Sequence, residues 1–313
     1  MSVQISQRSF SSEAAWLRRS LPAILVVMLG VIWGLQYASA KLAGSANLES
    51  AESLFIIHVL LALVFLPVLF LKRQGFMPKL SELAFFATLG FIGNIVQFGL
   101  QIFIAPFITS GELTLIVSLT PVFIVAMVTL FRTEPFCVRR VAAIGLGLAA
   151  AFAMIVPDAA SSPGQSQWTW LVAALGIPFA AAAATVIMAR FWPRRLSPLQ
   201  VTAGNISSVA VMLLPVVLWQ GGGVSIAGEI SVGLIIFAAT IGAEFFLLAV
   251  LVRLSGAMLT CCADFIAIGA GLGWGFVLFG EIPTVWMLAA ASLCFVALKA
   301  ALPPAAVRSE TLA

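Results

Sequence analysis

Charged residues are scarce in this chain. Only 9% of its 313 residues are Asp, Glu, Lys or Arg, whereas 62% are hydrophobic and the mean hydropathy is +1.14. This composition excludes an ordinary soluble globular protein and predicts an integral membrane protein. The net charge of +4 does not indicate nucleic-acid binding, because the basic residues stand in short clusters between apolar runs, as membrane topology requires.

Groups that carry out chemistry are also few. The single histidine, His58, has no acid beside it in the sequence, and the four cysteines form no paired C-x-x-C. These patterns predict neither a disulfide framework nor a metal site, and no G-x-x-x-x-G-K loop for a nucleotide is present. An intramembrane transferase is therefore disfavoured. We expect a protein that is not an enzyme and that has no cofactor, no metal and no nucleic-acid partner.

Long apolar runs are abundant, and each is close to the ~20 residues that a membrane-spanning helix needs. The runs are Leu21–Ala40, Ser53–Leu71, Glu82–Phe103, Ser110–Phe131, Val138–Val156, Trp168–Phe191, Pro198–Trp219, Ile230–Val252, Gly256–Phe279 and Ile282–Leu302. The sequence therefore predicts an all-α integral membrane protein with ten transmembrane helices.

The first run allows a second interpretation. Arg18 and Arg19 precede it, and Ala38-Ser39-Ala40 resembles the cleavage site of a secretory signal peptide. Its removal would leave an odd set of nine helices, so we favour a retained membrane helix.

A linker rich in Pro, Ser and Gly divides the ten runs into two halves of five. The predicted organisation is a cytoplasmic tail at 1–20, a first repeat at 21–156, a periplasmic linker at 157–167, a second repeat at 168–302 and a cytoplasmic tail at 303–313.

The distribution of positive charge predicts the topology. If the N-terminus is cytoplasmic, all but one of the 16 Lys and Arg residues fall on the cytoplasmic side, and Lys41 alone lies outside. This bias predicts that both termini are cytoplasmic. Each half has an odd number of helices, so the second half enters the membrane from the opposite side. Such inverted repeats are typical of alternating-access transporters.

Two segments of similar design carry polar residues within apolar runs. Ser110–Glu134 and Ser255–Glu281 both begin with Ser-Gly and end with Glu. In the first, Ser118 lies on a polar face, and Pro121 leaves the carbonyl of residue 117 without its usual donor. In the second, Asp264 lies about two turns inside the run, where a charge costs about 3 kcal/mol or more unless it faces a cavity.

Several short motifs resemble one known family. Trp33-Gly34 is followed by Lys41, by SLTPVF from residue 118 and FRTEP from residue 131, and later by RRLSPLQ from residue 194 and FGE from residue 279. In this order and spacing they resemble the EamA-type drug/metabolite transporter family. The resemblance implies ten membrane helices in two inverted repeats of five, and export of small metabolites or drugs. The second unit lacks a Trp-Gly pair, so roles cannot be copied between the halves.

Candidate substrate-binding residues are polar or aromatic side chains within the spans. Asn94, Gln97 and Gln101 form one amide stripe at i, i+3 and i+7, which suits a bound solute or, alternatively, helix–helix hydrogen bonds. Trp33 and Trp274 lie inside spans, where an indole stacks on a ligand or packs in the core. The remaining members of this predicted set are Lys41 and Ser118. Lys41 is suited to a carboxylate or phosphate, or it snorkels to the interface.

Candidate proton or cation sites are Glu244, Asp264 and His58. The two acids belong to consecutive helices of opposite direction, so they can face one chamber, which would suit proton coupling or a cationic group on the substrate. Alternatively, each acid is satisfied locally by a helix end or by Arg253. His58 either titrates near neutral pH or is hydrogen-bonded within its own surroundings.

We therefore predict a secondary transporter of the inner membrane, a monomer or homodimer, that exports a small amphipathic metabolite such as an amino acid. Its mechanism is alternating access, with proton coupling as an option. Multidrug or organic-cation efflux, and an uncoupled facilitator or channel, remain as alternatives.

Overall fold

The structure is a computed structural model that describes residues 2–44, 50–73, 77–130, 138, 142, 145–153, 167–220, 231–255 and 257–301. Within these residues the fold is helical and contains no strand. The helices are α1 (Ser2–Gly44), α2 (Ser50–Leu71), α3 (Leu80–Gly90), α4 (Gln97–Ile104), α5 (Ser110–Val117), α6 (Thr120–Leu130), α7 (Gln167–Ala174), α8 (Gly176–Phe191), α9 (Pro198–Trp219), α10 (Val232–Ser255), α11 (Ala257–Phe279) and α12 (Val285–Ala301). Residues 145–153 are also helical.

In the described part of the chain, 8 helical segments are long and apolar enough to cross a membrane. The spans are Leu21–Gly44, Ser50–Leu71, Leu80–Phe107, Ser110–Met127, Trp168–Phe191, Pro198–Trp219, Val232–Leu251 and Cys262–Phe279. The chain is therefore a multi-pass membrane protein. The tenth predicted helix appears as a shorter apolar helix, Val285–Ala297. Part of the predicted fifth helix, residues 157–166 of the predicted linker at 157–167, and the predicted tail at 303–313 lie outside the described residues.

Helix α1 packs most extensively against α11 and α10. Two glycines allow this close approach. A Cβ atom on Gly30 would lie 2.6 Å from the Ala263 carbonyl oxygen, and one on Gly34 would lie 2.7 Å from the backbone nitrogen of Gly271. The Trp33-Gly34 pair therefore has a packing role, because a larger residue after Trp33 would push α1 away from α11.

Two spans are interrupted at defined positions. A π-helical turn, Phe91–Val96, joins α3 to α4 and adds one residue to the helical repeat there. Residues 118 and 119 form a turn between α5 and α6, just before Pro121. The sequence predicted that Pro121 frees the Val117 carbonyl, and the Thr120 hydroxyl donates to that oxygen at 2.6 Å. Protein rather than a ligand therefore satisfies this carbonyl.

Candidate functional site

A small cavity of about 60 Å³ lies inside the bundle, and both buried acids line it. Its wall draws on α1, the π-helical turn, α4, α5, α6, α8, α10 and α11, so both halves of the chain contribute. The polar side chains in its lining are Trp33, Tyr37, Gln97, Thr120, Thr185, Glu244, Thr260 and Asp264. The described lining includes no lysine, arginine or histidine.

Glu244 is held in place by neighbouring donors. The Gln36 side-chain amide donates to Glu244 Oε2 at 2.5 Å, and the Trp33 indole also donates to this carboxyl group. Trp33 and Gln36 are one turn apart on α1, so a single face of that helix supplies both bonds. Hydrogen bonds to an ionised carboxylate are stronger than bonds between neutral groups. Glu244 is thus tied to α1 while it still lines the cavity.

Asp264 is buried to a similar extent but has different surroundings. It is 5% exposed, against 7% for Glu244, and no described residue donates a hydrogen bond to its carboxyl group. Glu244 is close enough to repel it electrostatically. Two buried acids that repel each other are stabilised by a proton or a cation between them. Unlike Glu244, whose carboxyl group accepts bonds from Gln36 and Trp33, Asp264 therefore keeps unused hydrogen-bonding capacity.

The predicted amide stripe is divided by the π-helical turn. Gln97 lines the cavity, whereas Asn94 lies inside the turn and contacts His58 and Asn205. The extra residue of a π-turn rotates the preceding side chains relative to those that follow. Gln101 is fully buried, and neither of its side-chain amide atoms has a partner among the described residues. The three amides therefore do not form one lining surface.

Two other predicted contacts lie outside the cavity wall. The Ser118 hydroxyl donates to the Thr114 carbonyl at 2.8 Å, so it is satisfied within its own helix. Trp274 is ten residues after Asp264 on α11, about 15 Å along the helix axis, and it is partly exposed.

Lys41 makes an ion pair rather than facing the cavity. Its Nζ atom lies 2.5 Å from Glu281 Oε1 and 5.0 Å from the centre of the Phe279 ring. Glu281 Oε2 also accepts hydrogen bonds from the backbone nitrogen of Ser110 at 2.9 Å and from its hydroxyl at 2.5 Å. This network, the Lys41–Glu281–Ser110 cluster, joins the end of α1, the start of α5 and the loop after α11. Glu134 and Glu281 end the two similar segments of the sequence, but only the fold pairs Glu281 with Lys41.

A second ion pair lies at the opposite end of the bundle. Glu82, near the start of α3, binds Arg195, whose Nε donates to Glu82 Oε1 at 2.6 Å. This hydrogen bond raises the pKa of the Arg195 guanidinium above its ordinary value. A groove of about 630 Å³ beside the pair is lined in part by Lys79, Arg194 and Phe191. The groove is larger than the cavity but lies far from both buried acids.

His58 is completely buried and lies outside the cavity lining. Its Nδ1 atom is 2.7 Å from the Leu54 carbonyl oxygen, and its Nε2 atom is 3.0 Å from Asn94 Oδ1. Both ring nitrogens of His58 therefore have hydrogen-bond partners inside the protein.

Sequence reasoning missed Gln36, Tyr37 and Asn205. Gln36 is a polar residue three positions after Trp33 on the same helix face, and this spacing is a signal that the sequence contains. Tyr37 and Asn205 had no such signal, because a single polar residue in an apolar run does not show which neighbour it meets.

Comparisons with known proteins agree with this architecture. Residues 20–156 match the model of a family described as the EamA-like transporter family, which confirms the resemblance seen in the motifs. A solved crystal structure of a protein is similar to this chain with a TM-score of 0.59 and 14% sequence identity, over 88% of this chain and 96% of that one. At this identity the similarity shows the fold alone. No curated protein matches the sequence.

Proposed function

We propose that the protein is a secondary transporter that exports a small amphipathic metabolite by alternating access, because residues 20–156 match the model of the EamA-like transporter family. The main support for this proposal is the buried cavity that both Glu244 and Asp264 line. A buried pair of acids within a membrane bundle is costly unless it binds a proton or a cation. The best substrate class is an amino acid or a related compound with an amino group.

The proposed topology has ten helices in two inverted repeats, at 21–156 and 168–302, with both termini on the cytoplasmic side of the inner membrane. The charge bias supports it, because Lys41 alone among the 16 basic residues falls on the outer side. The two ion pairs lie at opposite ends of the bundle, in agreement with this arrangement: the span Leu80–Phe107 begins beside Glu82 and ends just before Ser110.

In the cavity, Asp264 is assigned to bind the ammonium group of the substrate or a coupling proton. Gln97 and the hydroxyl groups of Thr120 and Thr185 are suited to the polar oxygen atoms of the substrate. Trp33 supplies an aromatic surface while its indole nitrogen keeps Glu244 in position. Glu244 contributes negative charge to the same space.

The small volume of the cavity supports the assignment of this structure to a closed state of the proposed carrier. About 60 Å³ is well below the 300–1,000 Å³ of typical ligand pockets, so the helices must move before a metabolite can enter. We assign Lys41 to closure of the outer side rather than to substrate binding, since its charge is already paired with Glu281. Breaking the Lys41–Glu281–Ser110 cluster would release α1 from α5 and from the end of α11.

Efflux of organic cations is the second candidate. It is favoured by the lack of any basic side chain in the described cavity lining, since the carboxylate of an amino acid would meet only amide, indole and hydroxyl donors there. An organic cation without a carboxylate does not need a basic side chain in the cavity.

Counterflow in proteoliposomes tests the proposal. Vesicles are preloaded with a pool of amino acids or, separately, with lipophilic cations, and exchange is measured with and without an imposed pH gradient. Saturable exchange of one class is the expected result and identifies the substrate group. A flux that does not saturate and shows no counterflow would instead indicate a channel or facilitator. No exchange of either class by folded protein would contradict both candidates.

A further inference from the structure

Three buried polar side chains form a hydrogen-bonded chain outside the cavity. The His58 ring lies between the Leu54 carbonyl oxygen and Asn94 Oδ1, and the Asn94 amide nitrogen donates to Asn205 Oδ1 at 3.3 Å. All three side chains are completely buried. We call this group the His58–Asn94–Asn205 relay. It joins α2 and the π-helical turn to α9.

In this arrangement both ring nitrogens of His58 face hydrogen-bond acceptors. A neutral imidazole donates from only one nitrogen, whereas an imidazolium donates from both. The contacts to the Leu54 carbonyl and to Asn94 Oδ1 therefore fit a ring that carries an additional proton. Asn94 then donates to Asn205, and Asn205 Nδ2 has no partner among the described residues.

The same atomic positions also fit a neutral ring if both amides turn by a half-rotation. His58 Nδ1 then donates to the Leu54 carbonyl, and Asn94 donates to the unprotonated Nε2. The side-chain oxygen of Asn94 then faces Asn205 and accepts a hydrogen bond from the Asn205 amide nitrogen. The side-chain oxygen of Asn205 takes the position that its nitrogen had in the first arrangement. The two arrangements differ by one proton and two amide rotations, and each satisfies every group between Leu54 and Asn205.

We propose that His58 is a proton-binding site outside the substrate cavity, and that Asn94 and Asn205 change hydrogen-bonding direction when the proton binds. The proton is the ligand, and the Leu54 carbonyl and the Asn94 amide are its protein partners. The π-helical turn supports this assignment independently, because it directs Asn94 toward His58 and away from Gln97, and such turns occur frequently at functional sites. The inference does not depend on the identity of the transported substrate.

Few ionisable groups surround the relay. Helices α4 and α9 and the π-helical turn, which pack against α2, carry no ionisable side chain. On α2 itself the other ionisable residue is Glu52, at the start of the helix. The remaining helix in contact, α10, carries Glu244, which is bonded to Gln36 and Trp33, and Arg253, whose side chain lies outside the described residues. The amides of the relay are therefore the partners that respond directly to the charge of His58.

Because His58 is the only histidine, its ring can be observed without assignment ambiguity. The full chain, carrying a purification tag without histidine, is labelled with 15N-histidine and reconstituted in lipid vesicles. The 15N signals of the ring are then recorded from pH 5 to pH 9. The expected result is one transition, from a ring protonated on both nitrogens to a neutral ring protonated on Nδ1. A ring that keeps one charge state over the whole range would overturn the proposal.

Variants test the two amides. Asn94→Leu and Asn205→Leu are each expected to move the midpoint of the transition by about 0.5 pH unit or more, since each removes a hydrogen bond that responds to the proton. Gln101→Leu is the matched control, because Gln101 is an equally buried amide outside the relay. An unchanged midpoint in Asn205→Leu, or an equal shift in Gln101→Leu, would contradict the relay. If a leucine variant does not fold, the wild-type titration still decides whether His58 binds the proton.

Discussion

At the scale of single residues, the two acids of the cavity are chemically alike but differ in their partners. Glu244 accepts hydrogen bonds from Gln36 and Trp33, while no described residue donates to Asp264. A carboxylate that is already bonded to the protein has less capacity for a substrate than one that is not. The two acids should therefore differ in their contribution to transport, although both line the same cavity.

We expect Asp264→Asn to reduce the counterflow rate for a substrate with an amino group by about 10-fold or more, because about 1.4 kcal/mol of lost interaction suffices for that change. Proteoliposome exchange measures the effect. The matched variant Glu244→Gln keeps the side-chain volume and is expected to have the smaller effect. Equal loss in both variants would contradict the distinction between the acids, and full activity with unchanged pH dependence in both would remove them from the mechanism.

At the scale of helices, glycine positions determine how closely α11 approaches its neighbours. A Cβ atom on Gly271 would lie 2.1 Å from the Thr114 hydroxyl oxygen, and one on Gly275 would lie 2.5 Å from the Ser110 hydroxyl oxygen. Gly269 and Gly273, on the same helix, would meet nothing within 4 Å. The four glycines look equivalent in the sequence, but only Gly271 and Gly275 form the contact with α5.

Gly271→Ala should lower the stability of the folded protein, because the added methyl group separates α11 from α5. A cost of about 1–3 kcal/mol is typical of such overpacking. Gly273→Ala is the matched control and should be neutral or slightly stabilising, since alanine favours helix formation where space is free. Thermal unfolding in detergent compares the two variants. Similar midpoints for both would show that α11 adapts to the added methyl group.

At the scale of the whole molecule, ion pairs lie at the two ends of the bundle. Lys41 and Glu281 join helices of the first and second halves at one end, and Arg195 joins the second half to Glu82 of the first half at the other. An alternating-access carrier must open its two ends in turn. Each ion pair is thus suited to hold one end closed while the other end opens.

Lys41→Met is expected to increase access to the cavity from the Lys41 side. The reporter is Ala181→Cys, a residue of the cavity lining, in a chain whose four native cysteines are replaced by serine. If the Lys41–Glu281 ion pair stabilises the closed conformation by about 1 kcal/mol, its loss increases the population of the open conformation by about 5-fold. An impermeant thiol reagent then labels the reporter cysteine correspondingly faster. Arg195→Met serves as the control and should not raise labelling from this side. Faster labelling in Arg195→Met, or no increase in labelling in Lys41→Met, would contradict the assignment of Lys41 to closure of this side.

Much of the architecture follows from the sequence alone, because hydrophobic length determines whether a segment crosses a membrane. Eight predicted spans appear as long apolar helices in the described residues, and the family resemblance from Trp33-Gly34 and the later motifs is confirmed over residues 20–156. The inverted repeats and the orientation of the termini stay predictions. For Asp264, an acid within an apolar run, the sequence left two alternatives, a cavity or local satisfaction, because a charge in lipid is too costly. In the structure Asp264 lines the cavity.

Only the tertiary structure decided which polar side chains meet. The sequence grouped Asn94 with Gln97 and Gln101 by regular helical spacing, but the π-helical turn at Phe91–Val96 changes that spacing and directs Asn94 to His58. Likewise, Lys41 and Glu281 are 240 residues apart, and no periodicity relates them. A periodic pattern describes one helix face, whereas pairing depends on how several helices approach each other. The physical reason is that hydrophobic length acts locally, while each hydrogen bond requires two groups that the fold brings together.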